Sequence, residues 1–287
     1  MPSTLRSLTI AAVLALSPTL AHAGWVIEWN TSASGLKGQT VPAQQATQSI
    51  AADQVRMDQP EVVTIVNYDK DSFTMMNPVK QYFWSGSTTE YVREMTRTRD
   101  AAMREKINAM TKQQGKDPLA EPAGDPTPRD VDLAKLPPVS ITSTGVKETI
   151  AGYEAEKYEV KVDGQLFEEL WIAPLDLSAD INYDRYLASQ LKNSAAMLGK
   201  SAEAYNAVYR NPEYRRLTEK ATVLKNVTHH LAGKFERAAT SVQQRDLPAS
   251  TFEVPESYRK VRLSDVLEKP PLTMPADSSP AGSMPKN

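Results

Sequence analysis

The pattern that most constrains this fold is a β-hairpin centred on Asp163 and Gly164. An Asp-Gly pair between two runs of strand-forming residues favours a two-residue turn, because both positions accept positive φ angles. Before the turn, residues 154–162 alternate between polar and apolar side chains, and after it residues 165–172 are rich in strand formers. The stretch 145–174 therefore predicts an antiparallel hairpin with an introductory strand.

A two-residue loop also predicts the register of this hairpin. It places Val160 opposite Phe167, and Glu159 opposite Glu168 on the other face. The second pair joins two like charges, which lysines on the diagonal positions could relieve. We interpret the carboxylates of the hairpin as a solvated strand face laced with Lys157 and Lys161, with a cation site or an acid/base pair as the functional alternative. These carboxylates are Glu154, Glu156, Glu159, Glu168 and Glu169.

Residues 1–23 have the features of a cleaved signal peptide. Arg6 supplies the positive charge, residues 8–16 form an apolar run, and Ala21-His22-Ala23 matches an A-x-A cleavage site. The apolar run is shorter than the roughly 20 residues of a membrane span. The sequence therefore predicts a periplasmic protein with no transmembrane segment after cleavage; an uncleaved anchor is the alternative.

Composition excludes several classes of function. The net charge of −2 gives no electrostatic footprint for nucleic acid or for anionic membrane surfaces. With no cysteine, the chain has neither disulfides nor thiolate sites. After cleavage only His229 and His230 remain, and as strand neighbours they point to opposite faces. We therefore expect no cofactor, no metal and no enzymatic activity.

Period-two and β-branched segments predict a sheet. A first strand is expected at 24–29, with Trp25, Ile27 and Trp29 on one face, and a weaker strand at 49–57 after a Gln-rich turn region. The remaining expected strands are 62–68, 72–76, 80–84, 139–142, 221–232 and 234–245. Because the first of these are joined by short turns, they predict an antiparallel meander.

Helical spacing appears in two places between the strand groups. Residues 88–112 predict one helix with Thr89 as its N-cap, and residues 180–217 predict a helical insertion interrupted near Gly199 and Pro212. Residues 113–138 contain six prolines and predict a surface insertion or linker. The fold class is therefore α+β, a curved antiparallel sheet with helices on one face. We expect one domain at 24–262 and a disordered tail at 263–287.

The run Lys147–Tyr158 resembles a signature of exported bacterial proteins in the LolA/LolB-like superfamily, closest to an uncharacterised branch (a domain of unknown function). The closing segment 247–258 and the early Tyr82-Phe83-Trp84 resemble the same branch. The resemblance implies a half-open β-barrel whose concave face is covered by helices. It also implies a cavity that holds acyl chains or hydrophobic peptide-like ligands. The insertions at 113–138 and 180–217 depart from the pattern, and no lipoprotein-carrier residue can be transferred.

Aromatic and methionine side chains on the predicted inner elements are the candidates for such a cavity. Thioethers adapt to varied apolar shapes, which suits a ligand pocket. The alternative for each residue is ordinary core packing. The candidates are Trp29, Phe73, Met75, Tyr82, Trp84, Met95, Met103, Met110, Phe167 and Trp171.

Two functions remain open at this stage. The first is a non-enzymatic periplasmic protein that binds a lipid, an acyl chain or an apolar peptide in a half-barrel cavity. The second is a structural or interaction module of the bacterial envelope, whose linker and Pro-rich tail bind a partner protein. An enzyme is the third alternative, and the scarcity of histidine and cysteine argues against it.

Overall fold

The computed structural model describes residues 22–35, 40–113, 135–177, 182–198, 202–230 and 233–268. Within them the strands are β1 (His22–Gly35), β2 (Thr40–Ala51), β3 (Gln54–Asp58), β4 (Val63–Asn67), β5 (Ser72–Asn77), β6 (Tyr82–Ser87), β7 (Val139–Ile150), β8 (Tyr153–Val162), β9 (Gln165–Ala173), β10 (Thr222–His230), β11 (Gly233–Leu247) and β12 (Arg259–Lys260). The helices are α1 (Thr88–Gln113), α2 (Tyr183–Leu198), α3 (Ala202–Arg210), α4 (Pro212–Thr218) and α5 (Leu263–Leu267).

All of these strands belong to one curved, open sheet. Their order is β12-β6-β5-β4-β3-β2-β1-β11-β10-β9-β8-β7. Neighbours pair in antiparallel fashion, except that the short β12 runs parallel to β6. The pairing of β1 with β11 joins the N-terminal meander to the strands that follow α1. The predicted α+β class with an antiparallel sheet is confirmed at this level, and the sheet is long.

The hairpin at Asp163 and Gly164 is present, but its register differs from the prediction. Both turn residues have positive φ, 51° and 74°. A bulge between Val160 and Lys161 shifts the pairing, so that Val160 faces Glu168. The prediction that Val160 faces Phe167 is therefore wrong, because one extra residue on β9 is absorbed by the bulge.

The like charges that meet across this hairpin are Glu159 and Glu169, not Glu159 and Glu168. The lysines do relieve them as predicted. The Lys157 Nζ lies 2.5 Å from a Glu169 carboxylate oxygen, and the Lys161 Nζ lies 3.2 Å from Glu159. The bulge changes which acid is paired, and it frees Glu168 for another environment.

Residues 40–58 form two strands where the sequence predicted a turn region and one weak strand. The Gln-rich stretch belongs to β2, and a tight turn with Ala52 at a φ of 47° leads into β3. The prediction was wrong because long polar side chains mask strand alternation when only one face of a strand is buried.

Helix α1 begins one residue earlier than its predicted cap. The Ser87 Oγ accepts a hydrogen bond from the Glu90 amide at 3.1 Å, and the Glu90 carboxylate accepts one from the Ser87 amide at 2.7 Å. This reciprocal pair is a capping box, which satisfies two amides at the helix start. Ser87 is therefore the cap, and the assignment of Thr89 was wrong.

The predicted disordered tail at 263–287 begins too early. Leu263 and Val266 of α5 are both fully buried. The buried Asn77 side chain donates a hydrogen bond to the Val266 carbonyl oxygen at 3.1 Å, which ties α5 to the end of β5. Residues 263–268 are therefore part of the fold, and residues 269–287 lie outside the described residues.

Other predicted segments are covered only in part. Residues 1–21 of the predicted leader and 114–134 of the predicted linker lie outside the described residues, while His22 and Ala23 begin β1. Of the predicted helical segment 180–217, the described residues form α2, α3 and α4, and residues 180–181 and 199–201 lie outside the described residues. Pro212 begins α4, and the Asn211 side chain caps that helix. The single-domain boundaries remain a prediction.

The helices share one side of the sheet, called here the helical face. At the β4–β6 end α1 and α5 cover it, and at the β8–β10 end α3 and α4 cover it. The opposite face is covered in part by the segment 249–258. Phe252 of this segment packs against two groups of buried apolar side chains, one that contains Val26 and one that contains Val63. This arrangement leaves space between the middle of the helical face and α2–α4.

Candidate functional site: a cavity with a polar floor

A cavity of about 440 Å³ lies between the helical face and helices α2–α4. Its strand-borne lining comprises Ile27, Trp29, Gln48, Ile50, Val55, Met57, Val66, Phe73, Glu168, Leu170, Val223, Asn226 and Arg237, together with Thr222 at the start of β10. Helices and loops add Tyr68, Leu177, Tyr183, Tyr186, Gln190, Tyr209, Tyr214, Thr218 and Ala221. The lining combines a continuous apolar wall with a group of polar side chains.

The apolar wall follows from the register of the meander. Ile50 pairs with Val55, Val55 with Val66, and Val66 with Phe73, on four successive strands. Residues that pair directly across an antiparallel sheet project from the same face. The row therefore forms the apolar wall of the cavity as one continuous stripe. It ends where Phe73 stacks on Tyr91 of α1, with ring centroids 3.9 Å apart.

Tyrosines from the three helices form the roof. The Asn211 side chain accepts hydrogen bonds from the Glu213 and Tyr214 amides at 2.9 and 3.1 Å, which fixes the start of α4. Tyr214 then meets Tyr209 edge to face at 5.6 Å. Burial raises the pKa of Tyr186 to about 12, so this phenol is neutral at physiological pH.

Glu168 is a buried carboxyl on the cavity floor, with 8% of its surface exposed. Its Oε1 atom accepts hydrogen bonds from the Asn226 amide nitrogen at 3.1 Å and from the Thr228 hydroxyl at 3.4 Å. Burial raises the pKa of this carboxyl to about 7, and the two hydrogen bonds oppose the rise. At neutral pH the group is therefore divided between its acid and carboxylate forms.

Arg237 is the cation of the cavity. Its guanidinium carbon lies 3.7 Å from the centroid of the Trp29 ring, and its Nη2 donates a hydrogen bond to Gln48 Oε1 at 2.9 Å. Burial lowers the pKa of the guanidinium to about 10, and the nearby Tyr186 phenol opposes that shift. Arg237 thus remains charged at neutral pH.

The structure brings only part of the predicted site to the cavity. Trp29 and Phe73 line it. Met75, Tyr82, Trp84 and Met95 belong to the apolar cluster beneath α1 and α5. Phe167 packs edge to face on Tyr205 of α3, and the side chains of Met103 and Met110 lie outside the described residues. Met75, Tyr82, Trp84, Met95 and Phe167 are not among the lining residues, and a ligand role for any candidate remains a prediction.

Trp171 lies on the other face of β9 from the cavity residue Leu170, because successive strand residues alternate. The ammonium groups of Lys157 and Lys225 lie 5.1 and 4.4 Å from its ring centroid. On the same side, the His229 Nε2 lies 3.0 Å from a Glu169 carboxylate oxygen. These cation–π contacts and the His229–Glu169 pair lie on the face of β9 that points away from the cavity.

The polar floor was not predicted from the sequence. The prediction that Glu168 lies on a solvated face is wrong, because the carboxyl is buried. A signal was present, since Glu168 shares strand parity with Leu170 and Ile172, both of which are buried. Arg237 carried a weaker signal, because of the residues two positions away on β11 Ala239 is buried and Phe235 is exposed.

Two further features concern the described residues as a group. In that part of the chain, no set of three or more histidine, aspartate or glutamate side chains is arranged to hold a metal ion. Among the helices that the structure describes, none is both long and apolar enough to cross a membrane.

Comparison with known proteins gives weak similarities only. No family model and no curated protein matches this chain. Two crystal forms of PNGF-II are similar over 85% and 84% of this chain, at 13% and 14% identity and a TM-score of 0.35. The chain spans about a third of PNGF-II, 32% and 31% of its length.

The third comparison is with a domain of an outer membrane lipoprotein-sorting protein from Vibrio parahaemolyticus. It covers 80% of this chain and 88% of that domain, at 8% identity and a TM-score of 0.26. TM-scores this low carry no argument about function.

Proposed function

We propose that this protein is a non-enzymatic, exported binding protein that holds a small amphipathic ligand between its sheet and helices α2–α4. The ligand class is an acyl chain or an apolar peptide that carries a polar group. One observation carries the proposal: a cavity of about 440 Å³ has an apolar wall and a polar floor. Ligand cavities typically measure about 300–1,000 Å³ and combine apolar walls with few polar groups.

The polar floor refines the purely apolar ligand that the sequence suggested. Glu168 and Arg237 would lose hydration if a bare hydrocarbon filled the cavity, and an unpaired polar group costs about 1–3 kcal/mol. A ligand with an apolar body can cover the Ile50–Phe73 stripe while its polar group meets the floor. Amphipathic ligands therefore match both halves of the lining.

Export to the periplasm and a LolA-like half-barrel complete the proposal. The leader-like sequence at 1–23 and the Lys147–Tyr158 run support them. A curved open sheet with helices on one face suits such a half-barrel, although this sheet is longer than the resemblance implies. The alternative of a partner-binding envelope module depends on segments 114–134 and 269–287, which lie outside the described residues.

The test is binding of the neutral fluorescent probe N-phenyl-1-naphthylamine to purified protein. Val55 lies in the apolar wall, so Val55→Trp should fill the cavity and abolish the rise in probe fluorescence. Val146 is exposed on β7, so Val146→Trp is the matched control and should bind as the wild type does. Equal binding by both variants, or none by the wild type, would contradict the proposal.

A further inference from the structure

We infer that the cavity selects amphiphiles with an oxyanion head group, such as a carboxylate, and that Arg237 is the residue that anchors this group. The inference rests on the proposed function and adds the chemical class of the head group. Three features of the floor support it: the guanidinium is held in place, it has no acidic partner, and its surroundings are neutral.

The guanidinium is held before any ligand arrives. Its central carbon lies over the Trp29 ring, 3.7 Å from the centroid, a position that attracts a cation to the ring. Gln48 Oε1 accepts hydrogen bonds from both Arg237 Nη2 at 2.9 Å and Trp29 Nε1 at 3.0 Å. One acceptor therefore fixes both the cation and the ring beneath it, and less ordering remains for a ligand to impose.

The charge has no acidic partner among the residues that the structure describes. There, Gln48 is the only hydrogen-bond acceptor for Arg237, and no carboxylate lies within 4.0 Å of its nitrogens. A guanidinium carries five N–H donors in a planar fork that matches an oxyanion. Buried charges are ordinarily paired, so an unpaired one facing a cavity indicates where a ligand's opposite charge belongs.

The neighbours of Arg237 in the sheet are neutral. Thr31 of β1 and Asn226 of β10 stand directly opposite it. Glu168, the acid of the floor, lies one strand further on β9 and is already hydrogen-bonded by Asn226. The head group is therefore directed to the Arg237 end of the floor, with Asn226 between it and the acid.

The test compares four amphiphiles with one chain length: laurate, dodecyl phosphate, dodecanol and dodecylamine. Binding to the wild type is measured by displacement of N-phenyl-1-naphthylamine. We expect laurate and dodecyl phosphate to bind at least about tenfold more tightly than dodecanol, which corresponds to about 1.4 kcal/mol. Dodecylamine should bind more weakly than dodecanol.

Variants then assign the preference to one side chain. Arg237→Gln should remove the preference for laurate over dodecanol. Arg245→Gln, an exposed arginine of the same strand, is the matched control and should keep the preference. Gln48→Met keeps the charge and removes the acceptor that orients it, so the preference should fall only in part.

The outcomes separate this inference from the proposed function. If dodecanol and laurate bind the wild type equally, or if Arg237→Gln keeps the preference, the head-group inference is wrong and the amphiphile cavity stands. If laurate and dodecyl phosphate bind with similar affinity, the site accepts oxyanions in general. If laurate binds much more tightly than dodecyl phosphate, the site selects carboxylates. If none of the four displaces the probe, both proposals fail.

Discussion

The β4–β6 end of the helical face and its middle belong to one sheet and differ in how they are covered. At the β4–β6 end, α1 and α5 close the face with apolar side chains, and Leu263 and Val266 are fully buried. Over the middle strands, helices α2–α4 leave a cavity that contains a buried acid and a cation beside a tryptophan ring. Phe73 belongs to both regions, because it packs in the filled cluster and also lines the cavity.

The difference teaches that close apolar packing and a polar cavity are separated within one fold. Close packing of apolar groups stabilises the filled end, since each buried side chain contributes about 1.5–3 kcal/mol. The cavity region keeps a void and charged groups that lower stability, a combination that is common at binding sites. Four predictions test this contrast, beginning with the largest effect.

The largest effect is expected at the filled end. Leu263→Ala should lower the free energy of unfolding by roughly 2–5 kcal/mol, because the side chain is fully buried and its loss leaves a cavity. Urea unfolding measures it. Ser264→Ala on the same helix is the control, with a change below about 0.5 kcal/mol. A small effect at Leu263 would show that α5 does not close this end.

The second effect is the pH dependence of stability that Glu168 confers. Its pKa is raised from 4.5 in the unfolded chain to about 7 in the fold, so the native state binds more protons between these values. Stability should therefore fall as pH rises from 4.5 to about 7, by up to about 3 kcal/mol, and Glu168's contribution should then level off.

Glu168→Gln removes this contribution, so the variant's stability should change less across that pH window than the wild type's. The exposed Glu256→Gln is the control and should follow the wild type. The groups around Glu168 are the neutral Asn226 and Thr228 and the roof tyrosines, which do not titrate in this window. An unchanged slope in Glu168→Gln would mean that the carboxyl is not buried.

A matched pair of enlargements compares the space at the filled end with the space beside the cavity. Val92→Phe adds volume to the filled cluster, where Val92 is buried, and should cost about 1–3 kcal/mol. Val55→Phe adds the same volume beside the cavity and should cost less than about 1 kcal/mol. Equal losses in urea unfolding would show that the two regions are packed alike.

The smallest effect compares two arginines. Arg237→Met should raise the free energy of unfolding by about 1 kcal/mol in the absence of ligand, because it removes a partly buried cation that has no acidic partner among the described residues. Arg56→Met should lower it by a similar amount, since Arg56 forms a bidentate pair with Asp58 and donates to the Thr251 carbonyl. If both substitutions destabilise alike, Arg237 serves the fold more than a ligand.

Local chemistry made much of the fold predictable. Asp163-Gly164 supplies the positive φ angles of its hairpin, and the β-branched run at Val63–Asn67 has strand propensity of its own. The Gln-rich β2 was missed because its stability comes from pairing with β1 and β3 more than from propensity. The position of α5 was missed because its burial depends on a distant contact with Asn77.

The candidate site was less predictable than the fold. Trp29 and Phe73 could be placed from strand parity, but the bulge at Val160 and Lys161 has no signature in one sequence. Arg237 meets Gln48 and Trp29 only because β11 pairs with β1, a strand that ends 198 residues before β11 begins. Pairings that distant depend on the whole sheet, so the polar floor becomes visible only in three dimensions.

The most direct test of the central claim is native mass spectrometry of the protein purified from its own cells, and again after delipidation and incubation with laurate. We predict an added ligand mass in the first sample and one bound laurate in the second, both absent from Val55→Trp. Unliganded mass alone in both wild-type samples would contradict it.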